Sequence, residues 1–400
     1  MKNKKVLIIV ENLPLPFDRR VWQEANTLRD AGYTVSIICP KGRGYESAYE
    51  EMNGIAIYRH SLPIEANGAV GYLVEYSTAL LGEFRLSLKV LKERGFDVIQ
   101  ACNPPDNIFI IGLFYKLFFG KRFVFDHHDI NPELYIAKFG KKNIFYHIML
   151  LWERMTFMTA DLSIATNESY RCIAIERGKM RPQETTVVRS GPSLVRMQIM
   201  EPVSSLRNGG KYLIGYVGTM GQQEGIDHLL LAAKQIVFHY DRKDIRFTLI
   251  GGGPELENMR RLSHSMGLDK YVTFTGRIPD QSMLEILNTA DVCVNPDVAN
   301  PMNDKSTMNK IMEYMALGKP VVQYDLTEGR YSAQKASLYA ERNNSEDLAD
   351  KIVYLLDRPE LRKEMGAFGL NRVKNELHWG IEAPKYLGVY ERLFEHTSKL

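Results

Sequence analysis

One pattern constrains this chain more than any other: short, apolar, β-branched runs alternate with helical stretches, and the alternation occurs twice over. In the first half the runs are KVLIIV (5–10), TVSIICP (34–40), DVIQA (97–101), RFVFDHH (122–128) and DLSIATN (161–167). Between them lie helical patterns such as RRVWQEANTLRDAGY (19–33), with Val21, Ala25 and Leu28 on one face and Gly32 closing the end. Strands alternating with helices form βαβ units, and these build parallel, doubly wound sheets. The second half restarts the theme with KYLIGYVG (211–218), RFTLIGGG (246–253), YVTFTG (271–276), DVCVNP (291–296) and KPVVQYD (319–325).

At 400 residues the chain exceeds one ordinary core, so two α/β domains facing each other across a cleft are expected. We place them at residues 1–195 and 196–379, with 380–400 as a helical tail that is a candidate for packing back on the first domain. The polar stretch EPVSSLRNGG (201–210) is the best linker. A formal charge of +3 gives no electrostatic ground for a nucleic-acid partner. The four cysteines show no CxxC pair and no zinc spacing, which fits a reducing cytoplasm. The first apolar run is too short for a signal peptide, and IFIIGLFYKLFF (108–119) is too short to span a bilayer, so no membrane crossing is expected.

In open parallel sheets ligands bind at the carboxyl ends of the strands, so chemistry is sought in the loops that follow them. After the first strand Asp18 is placed to cap a helix whose first turn carries Arg19 and Arg20. Cations at a positive helix end point to a bound anion or acidic neighbours, or else to plain solvated arginines. RFVFDHHDINPE (122–133) sets Asp126, His127, His128 and Asp129 at a strand exit, suited to proton transfer or to polyol hydroxyls. Adjacent histidines on extended backbone face opposite sides, which argues against a metal there. GYVGTMGQQEGIDHLLLA (215–232) and IGGGPELENMRRL (250–262) are strand, glycine-rich loop and helix, a shape that holds phosphate through backbone amides, or merely a tight turn. No Asp-x-Asp pair occurs, so the two-carboxylate magnesium clamp is missing and a diphosphate has to be neutralised by backbone dipoles and Lys or Arg.

Taken together, FDRRVWQEANTLRDAGYTV, DHHDINPE, GYVGTMGQQEGIDHLLLA, IGGGPE and EYMALGKPVV resemble a GT-B glycosyltransferase of family four, of the kind that assembles bacterial surface polysaccharide. The resemblance covers nearly the whole chain. It implies two Rossmann-like domains, the acceptor against the first and the donor against the second. The implied reaction is a retaining, metal-independent transfer of a sugar from a nucleotide diphosphate sugar to a glycan or polyprenyl-linked acceptor, with no cofactor. Glu313 matches the family's ribose-binding Glu, and His128 matches the histidine near the reacting carbon.

Three positions depart from the family. Lys305 stands where a first Glu is expected, Thr219 and Glu224 replace the Arg and Lys that grip the diphosphate, and Ser190-Gly191 replaces Asn-Gly. Ser306 or Thr307 is expected to cap the helix, with Lys305 or Lys310 aimed at the phosphates. Alternatively Lys305 meets an acidic sugar, or is solvated. The expected donor site comprises Gly218, Thr219, Gly221, Gly252, Gly253, Arg277, Lys305, Ser306, Thr307, Lys310 and Glu313. Asp18, Arg19, Arg20 and His127 are expected on the acceptor side, and His128, Asp129 and Lys305 at the chemistry. Asp126 and Asp129 are the candidates for a covalent nucleophile, should the reaction use one. Aromatics interleave with Lys and Arg around 112–122 and 137–158, either a core helix with a cationic rim or a docking face for the cytoplasmic leaflet. The rival readings are a nucleotide-sugar epimerase and an inactive partner subunit.

Overall fold

The computed structural model describes residues 4–42, 44–61 and 68–395, and of residues 68–76 the backbone alone. The chain divides into two compact units, one running to Ser190 and resuming at Glu382, the other covering Gly191–Ile381.

The first unit contains β1 (Lys5–Ile9), α1 (Arg19–Asp30), β2 (Thr34–Pro40), β3 (Tyr49–Met52), β4 (Ile55–His60), α2 (Gly68–Glu93) and β5 (Val98–Cys102). It continues through α3 (Phe109–Phe119), β6 (Arg122–His127), α4 (Asn131–Phe139), α5 (Ile144–Thr159), β7 (Leu162–Ala165), α6 (Glu168–Glu176) and β8 (Thr185–Val187). Its strands form one sheet in the order β3-β4-β2-β1-β5-β6-β7-β8, parallel except for the β3–β4 hairpin. Every β5 residue and every β1 residue after Lys5 is buried, as befits strands covered on both faces. The strand order reverses at β1 and β5, so the crevice at their carboxyl ends is the topological switch point.

The second unit contains β9 (Tyr212–Val217), α7 (Ile226–Lys234), β10 (Ile245–Ile250), α8 (Leu256–Ser265), β11 (Val272–Gly276), α9 (Asp280–Thr289) and β12 (Val292–Asn295). Then follow α10 (Asn309–Ala316), β13 (Val321–Tyr324), α11 (Thr327–Ala333), β14 (Ser337–Ala340), α12 (Ser345–Leu356), α13 (Pro359–Arg372) and α14 (Trp379–Glu395). All six strands are parallel, in the order β11-β10-β9-β12-β13-β14, and the switch point lies between β9 and β12.

From Glu382 onward α14 belongs to the first unit. The Tyr386 and Tyr390 hydroxyls both donate to Gln100 Oε1 on β5, and Phe394 stacks on Tyr33. The stretch 201–210, expected as the linker, instead lies inside the second unit. Met200 N–H donates to Asn288 Oδ1, Val203 N–H to Thr289 Oγ1, and Arg207 forks onto Asp291, so side chains at the end of α9 and just beyond it tie the segment down.

Candidate functional site

In the first unit the strand exits converge on a buried polar cluster built around Arg20. Asp18 caps α1 as expected, its Oδ1 accepting from Val21 N–H at 3.1 Å. Arg19 is exposed, whereas the Arg20 guanidinium is turned inward. It donates to Asp126 Oδ1 at 2.9 Å, to the Val188 carbonyl at 2.9 Å and to Ser190 Oγ at 3.0 Å, and its Nε lies 3.0 Å from Glu24 Oε1. Of the readings open for this arginine, acidic neighbours is the one the structure supports. Arg20 ties α1 to the exits of β6 and β8 and does not face outward toward an acceptor.

Burial opposes ionisation of Asp126, but Arg20 and His128 outweigh it and hold the carboxyl well below the usual carboxylate range. Burial, with Asp126 beside it, pushes Glu24 well above its ordinary value, so of the two carboxyls Glu24 holds a proton more readily. Gln100 Nε2 bridges the two carboxyls, at 2.7 Å from Glu24 and 3.0 Å from Asp126. Asp126 is fully buried and spoken for on both oxygens, which removes it as a covalent nucleophile.

His128 stands at the rim of this cluster, its Nε2 at 2.8 Å from Asp126 Oδ2 and 3.0 Å from Arg20 Nε. With Nε2 protonated the ring donates to Asp126; with Nε2 bare it accepts from Arg20. Either way Nδ1 stays outside both interactions, available to a hydroxyl. Asn103 holds the loop in place, accepting at Oδ1 from the His128 and Asp129 amides and donating to the Asp129 carbonyl. Asn103 is in turn held by Asp106, which also binds Asn131 and which burial, with Glu153 nearby, pushes up to about 8. Burial likewise raises the Asp129 carboxyl.

His127 contradicts the expectation of an acceptor-side residue. Its ring is fully buried among Phe125, Phe157 and Tyr170 and is pushed down to about 3, chiefly by burial and then by Arg177, so it is a neutral core residue. Glu24, Cys102, Asp126 and His128 bring potential metal-binding atoms within 4.8 Å of one another. They do not fit a metal, because Arg20 already stands against Glu24, Asp126 and His128, and a divalent ion would sit against a buried guanidinium.

In the second unit the two glycine-rich loops are knitted together. Gly218 N–H donates to the Ile250 carbonyl, Met220 N–H to Gly252 and Glu255 N–H to Met220. Gly251 has φ +137, and a Cβ there would lie 1.8 Å from the Gly218 carbonyl oxygen, so no side chain is tolerated at this crossing. The amides of Thr219, Gly221, Gly252 and Gly253 take no part in these three bonds. The exposed Arg277 lays its side chain beside Gly252, 3.3 Å from where a Cβ would be. This pairs a cation with backbone groups at the exits of β9, β10 and β11.

Helix α10 buries Ile311, Met312, Tyr314 and Met315, and the Tyr314 hydroxyl accepts from Val217 N–H at 2.9 Å, fixing the helix against the end of β9. Burying four such side chains contributes on the order of 6–12 kcal/mol before entropy. Glu313, on the same helix, has Oε1 held at 2.8 Å by Arg196, which also reaches Asp280. Gly318, with φ +67, follows the helix end as expected.

Two expectations for this segment fail. The helix starts at Asn309 with Met308 as its N-cap and no side-chain cap bond, so neither Ser306 nor Thr307 caps it; Ser306 Oγ donates back to the Met302 carbonyl. Asn300 turns the chain sharply by accepting from the Met302 and Asn303 amides, which delays the helix. Lys310 is not aimed outward at a phosphate: its Nζ is buried against Glu224 and Asp297. Lys305 lies half-buried in the same turn, and the neighbouring Asp304 accepts from Thr327 and Arg342.

The chain matches two family models, "Glycosyltransferase Family 4" over residues 18–194 and "Glycosyl transferases group 1" over residues 211–358. It is 25% identical over 305 residues to alpha-maltose-1-phosphate synthase of Mycolicibacterium smegmatis, covering 70% of this chain and 75% of that protein. It is 28% identical over 167 residues to a GDP-mannose-dependent alpha-(1-6)-phosphatidylinositol monomannoside mannosyltransferase of Mycobacterium tuberculosis, covering 41% and 43%. Other relatives of known description are matched over 38–62% of their own length. The fold is similar to sucrose-phosphate synthase of Thermosynechococcus elongatus, with TM-score 0.81, 18% identity and coverage of 98% and 100%. It is also similar to Anabaena HepE in complex with UDP-glucose, with TM-score 0.71, 15% identity and coverage of 99% and 100%.

Proposed function

Because the chain belongs to the GT-B glycosyltransferases of the family 4 type, we propose that it transfers a sugar from a nucleotide diphosphate sugar to a glycan or lipid-linked acceptor, with retention and without a metal. The observation that carries this reading is the pair of interlocked glycine-rich loops beside Arg277, facing the same end of the second sheet as Glu313. Backbone amides and a guanidinium supply the positive field a diphosphate needs. Glu313, whose Oε1 is fixed by Arg196, is the carboxylate assigned to the ribose diol. Lys305 adds charge toward the phosphates or toward an acidic sugar.

In this reading the acceptor meets the first unit, with His128 and Asp129 at the reacting centre. Attack proceeds on the same face from which the phosphate departs, that phosphate taking the acceptor proton. The protein contributes positioning and electrostatic stabilisation of the leaving diphosphate. Support for the substrate classes comes from proteins of similar sequence or fold: HepE is seen with UDP-glucose, the mycobacterial relative acts on a phosphatidylinositol mannoside, and the similar WaaG is involved in lipopolysaccharide biosynthesis. The reading extends to a role in surface polysaccharide assembly at the cytoplasmic face of the membrane, for which that company is the support.

Among the described residues no helix is long and apolar enough to cross a membrane. Helices α3 and α5 pack on each other, and both leave apolar side chains exposed, Leu117 and Phe118 on one and Leu151 and Met158 on the other. Exposed Lys138, Lys141, Lys142 and Arg154 share this part of the chain, a composition that suits an anionic bilayer surface. Flotation with phosphatidylglycerol vesicles should carry the protein, and the Leu117→Ser/Phe118→Ser variant should stay behind; no flotation of the wild type would refute docking.

A panel of UDP-glucose, UDP-N-acetylglucosamine, UDP-glucuronate, GDP-mannose and ADP-glucose, assayed with and without EDTA, tests the main reading. One donor should bind and turn over equally in EDTA, giving a product of retained anomeric configuration by NMR. Inversion, or loss of turnover in EDTA, would refute the mechanism.

A further inference from the structure

Beneath the first glycine-rich loop lies a buried charge cluster with one more acid than base. Lys310 Nζ, in the first turn of α10, is 2.5 Å from Glu224 Oε2 and 2.8 Å from Asp297 Oδ1, and 5.0 Å from the centre of the Tyr216 ring. The Tyr216 hydroxyl stands 3.1 Å from Glu224 Oε2 and 3.2 Å from the Thr219 carbonyl, able to donate to either. A Cβ added to Gly218 would come within 2.4 Å of that hydroxyl and 3.4 Å of Lys310 Nζ, so the ammonium lies directly under the loop. Asp297 is 1% exposed, and its Oδ2 has no hydrogen-bond partner. The charged groups that face Asp297 are Lys310 from α10 and Glu224 from the loop after β9, with the Tyr216 hydroxyl of β9 beyond Glu224.

With both acids ionised the cluster carries a net negative charge, and the loop above it is the one offered to a diphosphate. Like charges this close in a buried setting repel strongly. The relief nearest to hand is a proton on Asp297, whose carboxyl burial, with Glu224 beside it, has pushed up to about 7.

We propose that the Glu224–Lys310–Asp297 cluster is the positioning element of the glycine-rich loop, and that the donor enters together with one proton from solvent, which settles on the Asp297 carboxyl. This rests on the donor reading above. Lys310 acts through Glu224 and Tyr216 on the loop and touches no substrate atom, so the loop cation that the family carries at position 224 is replaced by an internal one.

The test is titration calorimetry of the full chain with the panel nucleotide sugar that binds, whose diphosphate diester does not itself titrate near neutrality. It is run from pH 6.5 to 8.5 in buffers of different ionisation enthalpy. Proton uptake should rise toward one per donor, and affinity should fall at least about tenfold across that range. Asp297→Asn should bind with no uptake and no pH dependence. Glu224→Gln, which leaves Lys310 and Asp297 as a neutral pair, should lose the uptake as well. Flat affinity in the wild type, or the same slope in both variants, overturns the proposal while leaving the donor reading intact. No binding by any nucleotide sugar at any pH overturns the donor reading, and this inference falls with it.

Discussion

Replacing Arg20 with Met separates a structural hub from an acceptor contact. Met roughly fills the volume but removes the charge that Asp126 faces at 2.9 Å inside a fully buried site. Breaking one side of such a pair typically costs about 3–5 kcal/mol. The bonds to the Val188 carbonyl and Ser190 Oγ add about 1 kcal/mol each. A loss of about 5–7 kcal/mol in a unit of this size lowers its melting temperature by about 10–28 °C. Arg20→Lys keeps the charge but loses the fork, and should fall between the two. Differential scanning calorimetry reads the shift, and donor affinity, which belongs to the other unit, should change less than about twofold. A variant that melts within about 2 °C of the wild type but needs far more acceptor for half-maximal rate would refute this reasoning and return Arg20 to the acceptor side.

Other expectations follow from the same geometry. His127 is depressed to about 3 when folded and has an ordinary value of 6.5, so its neutral form is the folded one. The stability it allows is complete above pH 6.5 and is lost as pH falls toward 3, by up to about 5 kcal/mol. His127→Phe should therefore gain more in melting temperature at pH 5 than at pH 7.5, and equal gains at both would contradict the burial account. Gln100→Leu strands the Tyr386 and Tyr390 hydroxyls together with Glu24 and Asp126, and should cost about 2–4 kcal/mol and expose the residues after Glu382 to protease; wild-type resistance would count against it. Gly218→Ala drives a Cβ into the Tyr216 hydroxyl, so donor affinity should drop at least about tenfold and Tyr216→Phe should partly restore it; absence of any rescue would contradict that contact.

The strands and the two sheets were legible because fully buried parallel strands must be continuous apolar runs, and all ten of those read from the sequence are present. The β3–β4 hairpin is not among them, although Asn53 and Gly54 carry its turn, both at positive φ between the paired Met52 and Ile55. The capping role of Asp18 was readable since its partner is three residues away. Long-range polar pairing was not. Gln100 meets Tyr390 across 290 positions, and Lys310 finds Glu224 and Asp297 from separate strand exits. A buried Arg20 and a solvated one look alike in a helix, because the acids that decide the matter arrive from β6 and from its own next turn. The Asn103-to-Asp106 stretch after β5 does carry a signal, polar residues around two prolines at a strand exit.

The central claim is that a nucleotide sugar is held by the strand exits of the second unit. Hydrogen exchange with and without the donor that binds tests it most directly. Slowed exchange should concentrate at residues 216–225, 250–256 and 305–314, around Gly218, Gly252 and Glu313. Protection confined to the first unit, or none in these three segments despite measurable binding, would contradict the account.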